Sequence, residues 1–318
     1  MTTGPAVRIA PHDLDRLLSS LEVKVVSLTE CLVSDGYCLD MGGIDAPGIH
    51  YNLSGTGRLV VNGCDPVDLK PHTLVIVPPN SPFRIEAEGY HRGQQNLRTV
   101  DGRMAAVSRD TIRYVKAGDG VPDVMLICGF FDATYGSAVQ LFGALTVPIV
   151  EQFSETDRLD ATLKAALAEL VVQEVGAGAM SSSLLKMVVI NILRRSLHSM
   201  NTWVERFSLF KDPHIARAFA EMATDPGGAH TVNSLAQTAY LSRSAFMARF
   251  ADVVGQSPMT VLRELRMRQA AEQLKTGQIP IEQIVRNTGY ESRSSFARAF
   301  RKAFGIEPSE YRASTEPM

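Results

Sequence analysis

Two stretches of this 318-residue chain, fifty residues apart, carry the side chains best placed to do chemistry at a surface. Residues 242–258 and 292–308 agree at seven of seventeen positions, a self-similarity that marks an internal repeat. In each copy two phenylalanines stand four apart, Phe246 with Phe250 and Phe296 with Phe300. That spacing puts them on the buried face of a helix. The positions between them then turn outward: Arg243, Ser244, Met247 and Ala248 in the first copy, and Arg293, Ser294, Ser295 and Arg298 in the second. Guanidinium forks bind phosphate, carboxylate or the edge of guanine, and serine hydroxyls add short donors and acceptors.

A second set of polar groups lies in the first half. Arg109 and Arg113 form R-x-x-x-R, while Asn52, Ser54 and Gly57 form N-x-S-x-x-G. An arginine pair can address guanine O6 and N7 or a phosphate, and a glycine permits close backbone approach. His50 stands alone, and the cysteines Cys31, Cys38, Cys64 and Cys128 form no C-x-x-C pair. No metal site and no disulfide framework is therefore expected, and the thiols read as buried and reduced. Without a triad spacing, a ligand cluster or a Gly-rich phosphate loop, the chain does not read as an enzyme, and no catalytic cofactor is expected.

The elements that must position these residues follow from periodicity. Each repeat copy is preceded by a short helical segment and a turn, Val232–Ala239 with Tyr240 and Leu241, then Ile281–Thr288 with Gly289, Tyr290 and Glu291. Helix, tight turn and serine-capped second helix is the helix-turn-helix plan. Met259–Lys275 reads as a long helix holding the two copies apart. Upstream, from about Lys24 to Glu88, short β-rich runs (Ile49–Leu53, Arg58–Val61, Leu74–Val77) alternate with turn residues, the pattern of a sandwich or barrel. Arg103–Val115 and Val124–Phe131 read as further strands. After Ser154 the period becomes helical, with Leu159, Leu163, Ala166, Leu167 and Leu170 on one helix and Leu184, Leu185, Val188, Val189, Ile192 and Leu193 on the next. These two helices either cover the sheet or pair with a second chain.

The length suits two units, each able to bury its own core. An apolar content of 45%, a charged content of 21% and a mean hydropathy of 0.00 describe an ordinary folded protein. The start of the chain lacks a basic patch and apolar run, and later apolar stretches are too short to span a bilayer, so a cytoplasmic location without membrane contact is expected. Charge is uneven: from Asp212 onward there are 13 Lys+Arg against 11 Asp+Glu, and before it 19 against 23. The C-terminal part is the better polyanion binder.

The block from Val232 to Tyr311 resembles the DNA-binding domains of AraC/XylS-family transcription regulators, on Gly289 and Tyr290, on Phe296, Arg298 and Phe300, and on Gly305, Pro308, Tyr311 and Arg312. The resemblance implies that duplex DNA is the partner and that bases are read by Arg293, Ser294, Ser295 and Arg298 in the second copy and by Ser244 and Met247 in the first, flanked by Arg243 and Arg249. The first copy departs from the family where Tyr240 stands in place of the turn glycine and where its arginine falls one place later, at Arg249. The first half resembles the cupin-type sensor domains that precede such readers, on Ile49, His50 and Tyr51, on Leu74–Pro78, and on Ile192, Leu193, Arg194 and Arg195. Phe83 stands where a metal-binding cupin would carry a second histidine.

The fold class expected is α+β: a cupin-like sensing and dimerising domain over 1–200, a linker over 201–212, and an all-α tandem helix-turn-helix domain over 213–318. R-x-x-x-R and N-x-S-x-x-G are also the elements with which PilZ-type proteins bind cyclic di-GMP. In layout and in both motifs the chain is similar to the AraC-like regulators of rhizobial exopolysaccharide genes that respond to that messenger. This implies an activator whose effector, cyclic di-GMP, is bound by Arg109, Arg113, Asn52, Ser54 and Gly57, acting as a homodimer with RNA polymerase as protein partner. The competing reading is a sensor of thiol oxidation, using Cys31 and Cys38, or of a metabolite in the cupin cavity.

Overall fold

The computed structural model describes residues 9–87, 97–103, 106–109, 112–135, 139–172, 174–198 and 207–315, with the side chains of 106–109, 112–113, 171–172, 197–198, 208 and 315 outside the description. The chain divides into two compact units. Val23–Ala133 with Leu141–Val204 forms one; Glu205–Met318 forms the other together with Met1–Glu22 and Thr134–Gln140. The expected division at 1–200 and 213–318 therefore differs at two segments of the first half, which group with the C-terminal unit.

The first unit holds most of a pair of β-sheets, whose residues 134–140 group with the other unit. One contains β1 (Glu22–Val33), β3 (Gly48–Gly55), β6 (Thr73–Val77), β9 (Ala106–Arg109), β10 (Ile112–Ala117), β11 (Val124–Tyr135), β12 (Val139–Gln140) and β13 (Ile149–Gln152), in the order β13-β6-β3-β11-β1-β10-β9 with β12 beside β11. The other contains β2 (Tyr37–Met41), β4 (Gly57–Val61), β5 (Val67–Leu69), β7 (Phe83–Ala87) and β8 (Arg98–Asp101), in the order β5-β4-β7-β2-β8. The two-residue period of β4 and β7 explains their placement: Leu59, Val61, Phe83 and Ile85 point inward while Arg58 and Arg84 face water. With Cys31, Val33, Leu39, Val75, Val77, Leu126 and Cys128 they form one buried cluster. The strand expected across Arg103–Val115 is instead two, because Ile112 pairs with Arg109 in an antiparallel hairpin.

Two helices close this unit, α2 (Leu159–Val172) and α3 (Ala177–His198), packed on each other. Leu159, Leu163, Ala166 and Leu167 of α2 and Leu185, Val188, Val189, Ile192 and Leu193 of α3 are buried, as their helical spacing requires. Among the described residues no helix is long and apolar enough to cross a membrane.

The second unit is helical: α1 (Pro11–Ser20), α4 (Ser208–Lys211), α5 (Pro213–Thr224), α6 (Val232–Thr238), α7 (Arg243–Val254), α8 (Pro258–Lys275), α9 (Ile281–Asn287), α10 (Arg293–Phe304) and α11 (Pro308–Thr315). The N-terminal helix α1 packs on α5 and buries Leu17, Leu18 and Asp13. The Asp13 carboxylate accepts from Arg217 Nε at 2.9 Å, and Arg16 donates to Glu221 at 2.6 Å. Arg268 of α8 pairs with Glu22 and donates to the Thr134 hydroxyl at 3.2 Å, tying both outlying segments to the helices.

Candidate nucleic-acid interface

Each recognition helix starts at a serine and stops at a glycine, and both ends have a physical cause. The hydroxyl of Ser242 accepts from Ala245 N at 3.3 Å, and that of Ser292 accepts from Ser295 N at 3.2 Å. Each satisfies a first-turn amide that the helix leaves without a partner. Gly255 at φ 80° and Gly305 at φ 79° end the two helices in the left-handed region open to glycine. Inside, Phe246, Phe250, Phe296 and Phe300 are fully buried. Phe250 stacks on Phe219 at 6.3 Å, and Phe300 meets Tyr311 edge-on at 5.4 Å.

The turn before each recognition helix also repeats. After α6 the chain passes through Tyr240 at φ 54°, with its N–H bonded to Gln237 O and the next N–H to Ala236 O. After α9 it passes through Gly289 at φ 69°, with the same pair of bonds to Arg286 O and Val285 O. Tyr240 thus occupies the glycine conformation, as the family pattern implied. The second turn then has one residue more, Glu291, before its capping serine.

Of the expected base readers, Arg243, Ser244, Arg293, Ser294 and Arg298 are exposed, and Met247 and Ser295 are half-buried. Arg293 shares an exposed ion pair with Glu282 at 2.7 Å, a weak interaction easily exchanged for another anion. Arg298 has no ion pair among the described residues. Arg249 departs from the expectation. Its Nε and Nη2 bond to one Asp212 oxygen at 2.9 and 2.6 Å, while the other Asp212 oxygen caps α5 by accepting from His214 N and Ile215 N. The one-place shift of this arginine aims its guanidinium at the start of α5, where the side chain, still 45% exposed, acts as a brace.

The separation of the two readers is set by α8, eighteen residues long and so about 27 Å, a length suited to holding two helices in grooves about 34 Å apart. It is locked by a contact that no local pattern announces. Arg266 of α8 donates to Pro226 O at 2.8 Å and to Gly228 O at 2.9 Å and lies over the Tyr290 ring. Between those carbonyls, Gly227 approaches the second turn so closely that a Cβ on it would strike Asn287 O, and one on Gly289 would strike Gly227 O. The loop after α5 is thereby pinned to the second helix-turn-helix.

The expected effector residues are placed less coherently. Arg109 and Arg113 stand on different strands of the β9–β10 hairpin, with their side chains outside the described residues. β11 and β1 lie between β10 and β3, which carries Asn52 and Ser54. Asn52 is fully buried: its Nδ2 donates to Gly55 O at 2.9 Å, while its Oδ1 has no partner among the described residues and lies out of reach of solvent. Gly55 at φ 82° and Gly57 both press on backbone, against the carbonyls of Asp123 and Glu86. Asn52 and Gly57 of N-x-S-x-x-G are therefore accounted for by the β3–β4 turn, and Ser54 alone of the three is exposed.

His50 is a core residue, 4.3 Å from the Phe83 ring, with neither nitrogen bonded; burial lowers its pKa to about 3 and keeps it neutral. Among the described residues no group of three His, Cys, Asp or Glu is placed to hold a metal ion. Cys31 and Cys38 are buried on different sheets, and burial, with help from Glu86, pushes the Cys38 thiol up to about 11. Cys31 instead meets Cys128, whose thiol burial also raises. With their pKa raised by burial, the Cys38 and Cys128 thiols are poor nucleophiles.

A two-sheet β unit and a helical unit carrying two helix-turn-helix modules spaced by α8 define the plan of a DNA-binding regulator. The comparisons with known proteins specify it further. A family model described as Cupin matches residues 13–198, and one described as Helix-turn-helix domain matches residues 235–314. A putative AraC-like transcription regulator of Streptomyces lividans is 31% identical over 268 residues, covering 81% of this chain and 84% of the relative. The RCS-specific HTH-type transcriptional activator RclR of Escherichia coli is 38% identical over 120 residues, 38% of this chain and 42% of the relative. A solved DNA-binding domain of the global transcriptional factor AdpA, in complex with a target DNA, covers 31% of this chain and 90% of that domain at 29% identity, with a TM-score of 0.31. The chain belongs to the AraC-like transcription regulators, with a cupin domain ahead of its DNA-binding helix-turn-helix domain.

Proposed function

We propose that this regulator binds its operator by laying α7 and α10 in successive major grooves of one duplex face, with Arg298, Arg293, Ser294 and Ser295 on one half-site and Arg243, Ser244 and Met247 on the other. The observation that carries this reading is the repeated exposed helix face held at fixed separation by α8 and the Arg266 clamp. Arg298→Ala is expected to cost about 1–3 kcal/mol of discrimination at one base pair, measured as competition between operator and point-substituted operator at fixed salt. Uniform weakening on all sequences would assign Arg298 to phosphate and defeat its role as a reader.

The effector is proposed to be cyclic di-GMP, bound through Arg109 and Arg113 with Ser54, controlling exopolysaccharide genes. Support for this rests on the arginine spacing and the family resemblance, and Asn52 leaves the contact set. Calorimetric titration of wild type and Arg113→Ala, with cyclic di-AMP and GTP as controls, tests it: selective binding lost in the variant is expected, and absence of heat in wild type removes the messenger from the account. Homodimerisation through α3 is supported by Met180 and Met187, about half exposed on its outer side, and recruitment of RNA polymerase by the activator reading. The burial of Cys31 and Cys38 counts against the thiol alternative.

A further inference from the structure

We propose that the two recognition helices read opposite chemistries, α10 taking guanine and phosphate and α7 taking the 5-methyl groups of thymine, so that the operator has two unlike half-sites. This rests on α7 and α10 being the DNA-reading helices and goes on to name what each one reads.

The repeat register pairs each outward position of α7 with one of α10. Arg243 matches Arg293 and Ser244 matches Ser294, but beyond the first turn the faces diverge: Ala248 stands opposite Arg298, Ala251 opposite Arg301 and Asp252 opposite Lys302. All six of these later residues are exposed. The outward face of α10 thus carries four cations, Arg293, Arg298, Arg301 and Lys302, whereas that of α7 carries Arg243 and an opposing Asp252. The arginine that could have restored the balance, Arg249, is committed to Asp212. Arg301 is held by Glu307 and Arg293 by Glu282, while Arg298 and Lys302 have no ion pair among the described residues.

Base-edge chemistry then separates the two helices. Guanine presents two acceptors, O6 and N7, that match an arginine fork, and thymine presents the one apolar group on the major-groove floor. Ala248 and the half-buried Met247 have no strong hydrogen-bonding group to offer, so a guanine beneath them would keep acceptors desolvated and unpaired. A thymine methyl there gains an apolar contact instead. Salt dependence divides in the same way, because counterions are released where cations meet phosphate. The α10 half-site therefore anchors, and the α7 half-site selects.

The test is selection by the full-length protein from a random duplex library, followed by binding to the selected duplex resynthesised with deoxyuridine for thymidine, or 7-deazaguanine for guanine, in one half at a time. The half in which Arg298→Ala relaxes selectivity belongs to α10. Loss of roughly fourfold in affinity for each contacted methyl is expected on uracil substitution in the other half only. A loss of about tenfold or more is expected on 7-deazaguanine substitution in the α10 half only. Ala248→Arg is expected to turn the α7 half from thymine to guanine without changing the α10 half. Two like guanine-centred half-sites, or indifference to uracil in both halves, overturns the proposal while leaving DNA reading intact. Failure of any sequence to be enriched overturns the DNA-reading assignment itself.

Discussion

The two helix-turn-helix copies reach the same backbone by different means. In the first, the turn passes through Tyr240 in a conformation that suits glycine, with its ring 74% exposed and stacked on Arg217 at 4.8 Å. In the second, Gly289 makes the same turn with the backbone of Gly227 pressed against it, where no side chain fits. A left-handed residue costs about 1–2 kcal/mol when it is not glycine, and that cost is tolerable at an open turn. Where the turn is also a contact between modules, sterics leave no alternative. The recognition helices differ likewise: the first pairs its arginine with Asp212, and the second presents Arg298 outward while Ala299 packs on the core.

The largest effect should come from removing what the copies share. Phe250→Ala and Phe300→Ala are each expected to destabilise by about 3–5 kcal/mol, read from denaturant unfolding. A loss below about 1 kcal/mol in either would show that copy to be held by its turn and caps rather than by its core. Gly289→Ala should cost about 2 kcal/mol or more, since the substitution meets both an unfavourable φ and the Gly227 carbonyl; an unchanged midpoint would contradict the clamp. Arg266→Ala, which leaves the carbonyls of Pro226 and Gly228 without their donor, is expected to cost about 1–3 kcal/mol and to widen the tolerated spacing between half-sites in binding assays. Retention of a single strict spacing would place the lock elsewhere. Arg249→Ala should cost about 1 kcal/mol of stability and leave the selected operator sequence unaltered; a changed base preference would return this arginine to the readers. Smallest, and opposite in sign, Tyr240→Gly should stabilise by less than about 1 kcal/mol, because the relief of φ strain is offset by the lost stacking on Arg217 and by glycine's greater unfolded entropy.

The copies were legible in the sequence because their signals are local. A capping serine, phenylalanines four apart and a terminal glycine all act within a few residues of one another, whereas the odd placements of Tyr240 and Arg249 stood out only against the pattern of the family the block resembles. The strand runs around Ile49, Leu59 and Leu74 were legible for the same reason. What escaped depends on distance along the chain. Arg266 meets carbonyls about forty residues away, and Gly227 meets Gly289 across four intervening helices, with nothing in either neighbourhood to announce it. Asn52 illustrates the converse: its type and spacing matched a ligand motif, yet burial in β3 and a bond to Gly55 account for it. The segment expected as one strand across Arg103–Val115 is two strands because Ile112 pairs antiparallel with Arg109, a pairing that β-rich composition alone does not announce.

The docking of α1 on α5 also bears on the order in which the molecule is made. Asp13 and Arg217 are 204 residues apart, so at about 5–20 residues per second the first helix leaves the ribosome about 10–40 s before its partner exists. During that interval Leu17, Leu18 and Leu21 have no α5 to cover them, and the sandwich strands are synthesised in the meantime. The DNA-binding unit therefore completes itself with a piece that has waited through the synthesis of the cupin unit, and a protein released early, or fused to a bulky tag ahead of Pro11, would bear its defect at the far end, in the helices that meet DNA.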